Sequence, residues 1–179
     1  RAFVCQDEEI AIDKGTKSWI DKFVNAPNKN DSQTISEACS GHRPYWYSLN
    51  PKRAHIITTI NPYERFFFTF AKEPFVIDQR LIAMQVQDGY DVELIAALLN
   101  SVITCLILEM RGTSRSLGAL DLNADFLKQL KMLNPNLLSK SDVDTIIAAF
   151  RPIKNRNINS VMDEVTRTDR RNFDATIMK

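Results

Sequence analysis

Glycine is scarce in this chain: the 179 residues hold five, at positions 15, 41, 89, 112 and 118, and none stands in a Gly-x-Gly pattern. The glycine-rich turn that lets a backbone cradle a nucleotide-type cofactor is therefore missing. The three cysteines, Cys5, Cys39 and Cys105, are widely spaced and form no Cys-x-x-Cys pair, and only two histidines, His42 and His55, accompany them. No metal site is expected from such a set, and the thiols read as free groups of a reducing cytoplasm. Net charge is only +1, so no bulk field marks a nucleic-acid partner and any DNA contact has to come from a local patch. The longest apolar stretch, residues 95–110, falls short of the ~20 residues of a membrane span and contains Asn100, Ser101, Thr104 and Glu109. It reads as a buried helix, and no membrane partner is expected. No signal peptide opens the chain, which starts Arg1-Ala2-Phe3 without a methionine and reads as a piece cut from a longer cytoplasmic protein.

What is present is ordinary for a globular fold: 44% hydrophobic and 25% charged residues, enough for one domain or one with a small appendage. Residues 17–24 (KSWIDKFV) form an amphipathic helix pattern with Trp19, Ile20 and Phe23 inward, followed by the polar loop NAPNKNDSQT. From Tyr45 the period becomes strand-like in YWYSL, AHIITTI, RFFFTF and FVIDQRLIAMQV, punctuated by Asn50-Pro51, Asn61-Pro62 and Glu73-Pro74. Asp91 is placed to cap a long helix running to about Met110, and Asn123 or Asp125 to start another. Further on, Ser141 is expected to cap a helix that Pro152 breaks, and Asn159 or Ser160 to start the next. The fold expected is α+β: a curved, largely antiparallel sheet packed on a long buried helix, with a helical C-terminal tail. Three regions are delimited: an N-terminal helix/strand segment and loop (1–35), a central domain (36–138) and the tail (139–179).

Asn61-Pro62-Tyr63, at the end of a β-branched run, has the look of the Asn-Pro-Pro-Tyr loop with which amino-methylating DNA methyltransferases hold a target adenine. Here the second proline is absent, and so is the glycine-rich turn that a cofactor domain needs. The simpler reading is a turn, with Asn at its first position and Pro fixing φ at the next.

As a whole, residues 36–133 resemble the target-recognition domain that follows the catalytic domain in N6-adenine DNA methyltransferases of restriction–modification systems (type II modification enzymes). Arg43-Pro44-Tyr45-Trp46-Tyr47-Ser48-Leu49 is similar to the family's Arg-x-x-Trp-Tyr entry strand, and Leu98-Leu99-Asn100-Ser101 to its Leu-Leu-Asn-Ser helix. Arg111-Gly112 with Leu117-Gly118-Ala119-Leu120 is similar to the loop and strand after that helix, and Phe126-Leu127-Lys128-Gln129-Leu130 to the closing helix. The resemblance implies double-stranded DNA as partner, along with a catalytic domain N-terminal to this one in the parent chain. That domain would hold S-adenosylmethionine; no cofactor and no catalytic residue is implied for this segment.

A recognition domain holds phosphates with Lys and Arg and reads base edges with Arg, Asn, Gln or Lys. Arg111 and Arg115 flank a loop of small residues and are the first candidates; Arg43, Lys52 and Arg53, which bracket the Trp-Tyr segment, are the second set. Against this stands the reading of each arginine as a solvated or ion-paired strand end. Trp46 and Tyr47 suit a sheet core better than a stacking platform. Buried Asn100 and Ser101 call for hydrogen bonds, more simply to the adjacent sheet than to DNA. Two rivals remain: a specificity subunit of a multi-subunit restriction system, and a protein-interaction module without DNA contact.

Overall fold

The computed structural model describes residues 13–48, 52–77, 80–114 and 119–179. The chain forms two compact units, residues 1–52 and 53–179. In the first, α1 (Lys14–Val24) is capped by Asp13, whose carboxylate accepts from the Thr16 N–H at 2.9 Å. Ile20 and Phe23 are half-buried, whereas Trp19 stays exposed against the Phe23 ring, so the inward stripe is narrower than the pattern implies. The polar loop after α1 closes as a bridge between Pro27 and Thr34, with Asp31 at φ 50° and Asn28 Oδ1 accepting from two backbone N–H groups. A capping box then starts α2 (Ile35–Ala38) at Thr34. The Tyr45-Trp46-Tyr47 segment, expected as a strand, is a turn: the Tyr45 N–H donates to Ser48 Oγ and the Ser48 N–H returns to the Tyr45 carbonyl. Tyr45 and Tyr47 stack with centroids 5.1 Å apart, which sequence periodicity cannot distinguish from a strand face.

The second unit is mixed α and β. β1 (Arg53–Thr59) is the centre of a three-stranded antiparallel sheet, flanked by β2 (Thr69–Val76) and β3 (Leu81–Met84). Ala54, Ile56 and Thr58 alternate inward along β1, as a period of two requires. In the phenylalanine run, Phe66, Phe68 and Phe70 face the core and Phe67 faces out, the same alternation begun before β2 itself.

The single long helix expected from Asp91 is two: α3 (Val92–Leu99) and α4 (Val102–Arg111), bent by 56°. Asp91 caps the first as expected, accepting from the Glu93 and Leu94 N–H groups. Asn100 causes the break. Its amide donates to the carbonyls of Phe68 and Ala96, both at 2.8 Å, and its oxygen accepts from the Phe68 N–H at 2.9 Å, so the side chain acts as a short strand on the sheet margin. Ser101 then caps α4, accepting from the Thr104 N–H. No single helix among the described residues is long and apolar enough to cross a membrane.

After α4 come β4 (Thr113–Ser114) and β5 (Leu120–Asp121), an antiparallel pair, then α5 (Ala124–Lys128), capped by Asn123. Helix α6 (Lys140–Lys154) starts from Ser139 rather than Ser141, because Asp142 at its third position completes a capping box with Ser139. Pro152 does not break it: the helix continues to Lys154, with Phe150 and Ile153 on either side of the proline buried. Ser160 caps α7 (Val161–Glu164), and α8 (Thr168–Ile177) closes the chain. The core joins these helices to the sheet, with the Phe150 ring 6.2 Å from Phe70 and 5.4 Å from Phe173.

Candidate nucleic-acid interface

Arg111 ends α4, exposed, with its guanidinium 5.9 Å over the Phe126 ring. It joins no ion pair among the described residues, and its guanidinium rests over the aromatic face rather than on a carboxylate. Gly112 follows because nothing larger fits: a Cβ there would lie 2.7 Å from the Leu108 carbonyl oxygen and 3.1 Å from Leu120. The backbone thus turns tightly from α4 into β4, and Thr113 and Ser114 pair with Asp121 and Leu120. Arg115 lies outside the described residues.

The second set of candidates is divided between the two units. Arg43 and Lys52 belong to the unit of residues 1–52, and the Arg43 guanidinium is committed to its own loop, donating to the Ser40 carbonyl at 2.6 Å and the His42 carbonyl at 2.9 Å. Arg53 is exposed at the start of β1. The opposite end of that strand, which leads to the β4–β5 pair, is ~20 Å away at the usual rise per residue. The Trp46 ring meets Tyr47 edge-on at 5.5 Å.

A feature that sequence reasoning treated as a plain turn joins Arg111 here. Beyond β1, the Ile60 carbonyl accepts from the Leu122 N–H at 2.8 Å and the Pro62 carbonyl from the Leu120 N–H at 3.1 Å. The Asn61 amide donates to Asp121 Oδ1 at 3.2 Å. Residues 60–62 therefore run antiparallel to β5 as a third pass of the β4–β5 pair. No local signal announces this, since the partners stand about sixty positions apart in sequence.

Other charges of the unit are spent on structure. Arg156 binds Glu164 through both terminal nitrogens at 2.7 Å and Asp169 through Nε at 2.6 Å. The guanidinium holds Asp169 down at about 2. Burial alone would raise Glu164, but Arg156 and the Asn159 N–H together keep it below the usual carboxylate range. Arg170 pairs with Asp174 at 2.7 Å, and Asp174 also accepts from the Val102 N–H, fixing the start of α4. The tail's basic cluster is thereby committed: Arg167 pairs with Asp169, and Arg171 donates to the Val165 carbonyl.

Among the described residues no group of three or more His, Cys, Asp or Glu side chains is placed to hold a metal ion. Nor do they fit S-adenosylmethionine: both described sheets are antiparallel, whereas the glycine-rich cradle for such a cofactor joins a parallel strand to a helix. Comparison with protein-family models, with curated proteins and with solved structures returned no match.

Proposed function

We propose that this chain is the sequence-recognition part of an S-adenosylmethionine-dependent adenine-N6 DNA methyltransferase of a restriction–modification system. It would position the target adenine for a catalytic domain that holds the cofactor elsewhere in the parent protein. The observation that carries this reading is the junction at Arg111-Gly112. An arginine without an ion pair among the described residues, its guanidinium over the Phe126 ring, leads through a backbone too crowded for any side chain into the β4–β5 pair. That is a rigid presentation of a cation beside a loop of small residues, which is what base or phosphate contact in a groove calls for. On this reading the β2–β1–β3 sheet curves over the α3–α4 segment and sets that pair's angle to the duplex, with Arg111 and Arg115 as principal contacts and Arg43, Lys52 and Arg53 as peripheral ones.

The test is fluorescence anisotropy of a labelled duplex titrated with the chain at two salt concentrations. Binding that weakens with salt and is lost in Arg111→Ala/Arg115→Ala supports the reading. Absence of binding at low salt, or a double variant that binds like wild type, overturns it.

A second reading, a protein-interaction module, draws on α4 itself. Ile103, Leu106 and Met110 follow one another on one side of the helix and are 41%, 58% and 76% exposed. Such a stripe suits a protein neighbour, including the parent's catalytic domain. Binding through it would be indifferent to salt and to Arg111.

A further inference from the structure

The Asn61–Arg65 loop carries no catalytic chemistry, yet its placement gives it a task. Leu120 is paired on one side with Ser114 and on the other with Pro62, so the three passes are level at that point. Because residues 60–62 run antiparallel to β5, the chain leaves the sheet after Pro62 at the edge where β4 ends and β5 begins. Tyr63 is the next residue. One step on, the Glu64 carbonyl accepts from the Val161 N–H at 2.8 Å, tying the loop to the first turn of α7.

Tyr63 is thus held between two backbone anchors while 60% exposed, and its hydroxyl has no partner among the described residues. Arg65 is exposed as well and enters no ion pair among them. It rims a cleft of about 590 Å³ whose lining includes Phe67, Thr69, Lys154, Arg156 and Asn157 and no carboxylate. Of the three cations there, Lys154 is held by Glu93 and Arg156 by Glu164 and Asp169, which leaves Arg65 as the one whose charge faces outward uncompensated.

We infer that Tyr63 and Arg65 form a second DNA contact at the end of the β4–β5 pair opposite Arg111, gripping the sugar–phosphate backbone of the same duplex, with Arg65 on a phosphate and the Tyr63 hydroxyl donating to a neighbouring phosphate oxygen. The chemistry fits a polyanion rather than an apolar partner: the groups offered are hydrogen-bond donors on a rigid backbone, with little side-chain entropy left for tyrosine to lose. The inference rests on the proposed function, and the experiment separates the two.

Duplex binding by the full chain is measured by anisotropy across a salt series for wild type, Arg111→Ala/Arg115→Ala, Arg65→Gln, Tyr63→Phe and Tyr63→Ala. Arg65→Gln should bind roughly tenfold more weakly at low salt, equally across duplex sequences, and its log–log salt slope should be shallower by about one. Tyr63→Phe should reproduce most of the loss seen in Tyr63→Ala, since the hydroxyl is the contact. Neither side chain has a hydrogen-bond or ion-pair partner among the described residues, so circular dichroism melts should stay close to wild type. If wild type binds and the Arg111/Arg115 variant does not, while Arg65→Gln and Tyr63→Ala keep wild-type affinity and slope, this inference falls and the proposed function stands. If Arg65→Gln weakens binding to some sequences only, with the slope unchanged, the residue reads bases and the backbone assignment is wrong. No binding by wild type at low salt overturns both.

Discussion

Replacing Asn100 by alanine should be among the most damaging single changes to the unit of residues 53–179. The side chain is 9% exposed and serves the Phe68 N–H and carbonyl, which belong to a residue only 3% exposed. The Ala96 carbonyl keeps a partner in the variant, because the Asn100 backbone N–H also donates to it at 3.0 Å. Two buried backbone groups are therefore orphaned. At about 1–3 kcal/mol each the loss is roughly 2–6 kcal/mol, a large fraction of the ~5–15 kcal/mol that holds a domain folded. Alanine's higher helix propensity also favours closing the break into one continuous helix, which would carry Arg111 away from the β4–β5 pair. Asn100→Asp should rescue nothing: it keeps an acceptor for the Phe68 N–H but turns a buried charge toward two carbonyls. The assay is urea unfolding followed by circular dichroism. Tryptophan fluorescence would miss the effect, since Trp19 and Trp46 are the only tryptophans and both lie in the first unit. A midpoint shift equivalent to less than ~0.5 kcal/mol at unchanged slope would refute the view that Asn100 closes the sheet margin.

Gly112→Ala should lower the melting temperature by the equivalent of about 1–3 kcal/mol, because the new methyl meets the Leu108 carbonyl and Leu120; an unchanged melt would mean that the turn is looser than it stands. Arg156→Ala leaves Glu164 buried without its partner and should destabilise by about 3–5 kcal/mol in urea, with Arg156→Lys recovering only part because an ammonium cannot bridge two carboxylates bidentately. Asp169, held at about 2 against an ordinary 3.8, adds stability that is complete above roughly pH 4 and lost as pH falls toward 2. Acid titration of stability should therefore be flatter across that window in Arg156→Ala than in wild type; parallel curves would count against the pair. Asp174→Ala removes both the partner of Arg170 and the acceptor for the Val102 N–H, and stability in urea should fall by about 2–4 kcal/mol.

The parts of this fold legible in the sequence are those decided within a few residues. Asp91, Asn123 and Ser160 announce helices because a cap bonds to backbone two or three positions on. The alternation of β1 is visible because one face of a strand is buried. Two of the misreadings came from a distant partner. Residues 92–111 read as one helix, since the group that breaks it, Asn100, bonds to Phe68 thirty-two positions back. YWY reads as a strand, since ring stacking in a turn leaves the same aromatic spacing as a sheet face. Asn61-Pro62-Tyr63 reads as a turn, whereas residues 60–62 run antiparallel to β5, an attachment that has no local signature.

Charge shows the same division between what a sequence averages and what a fold sorts. Twenty-three basic side chains against twenty-two acidic ones give a net +1, which on its own argues against a polyanionic partner. Once paired in space, the cations fall into two populations. Lys154, Arg156, Arg167 and Arg170 face carboxylates or their networks, and Lys17 and Lys128 pair within their own helices. Arg65 and Arg111 have no carboxylate among the described residues, and each stands on backbone fixed at the margins of the β4–β5 pair. Three of the acids, Glu164, Asp169 and Asp174, are engaged by arginines of residues 156–170 rather than by Arg65 or Arg111. If the chain binds DNA as proposed, a single carboxylate placed at Tyr63 (Tyr63→Asp) should weaken binding more than Tyr63→Ala does. That difference should shrink as salt screens the added charge; a difference that persists at high salt would mean the tyrosine's role is one of shape.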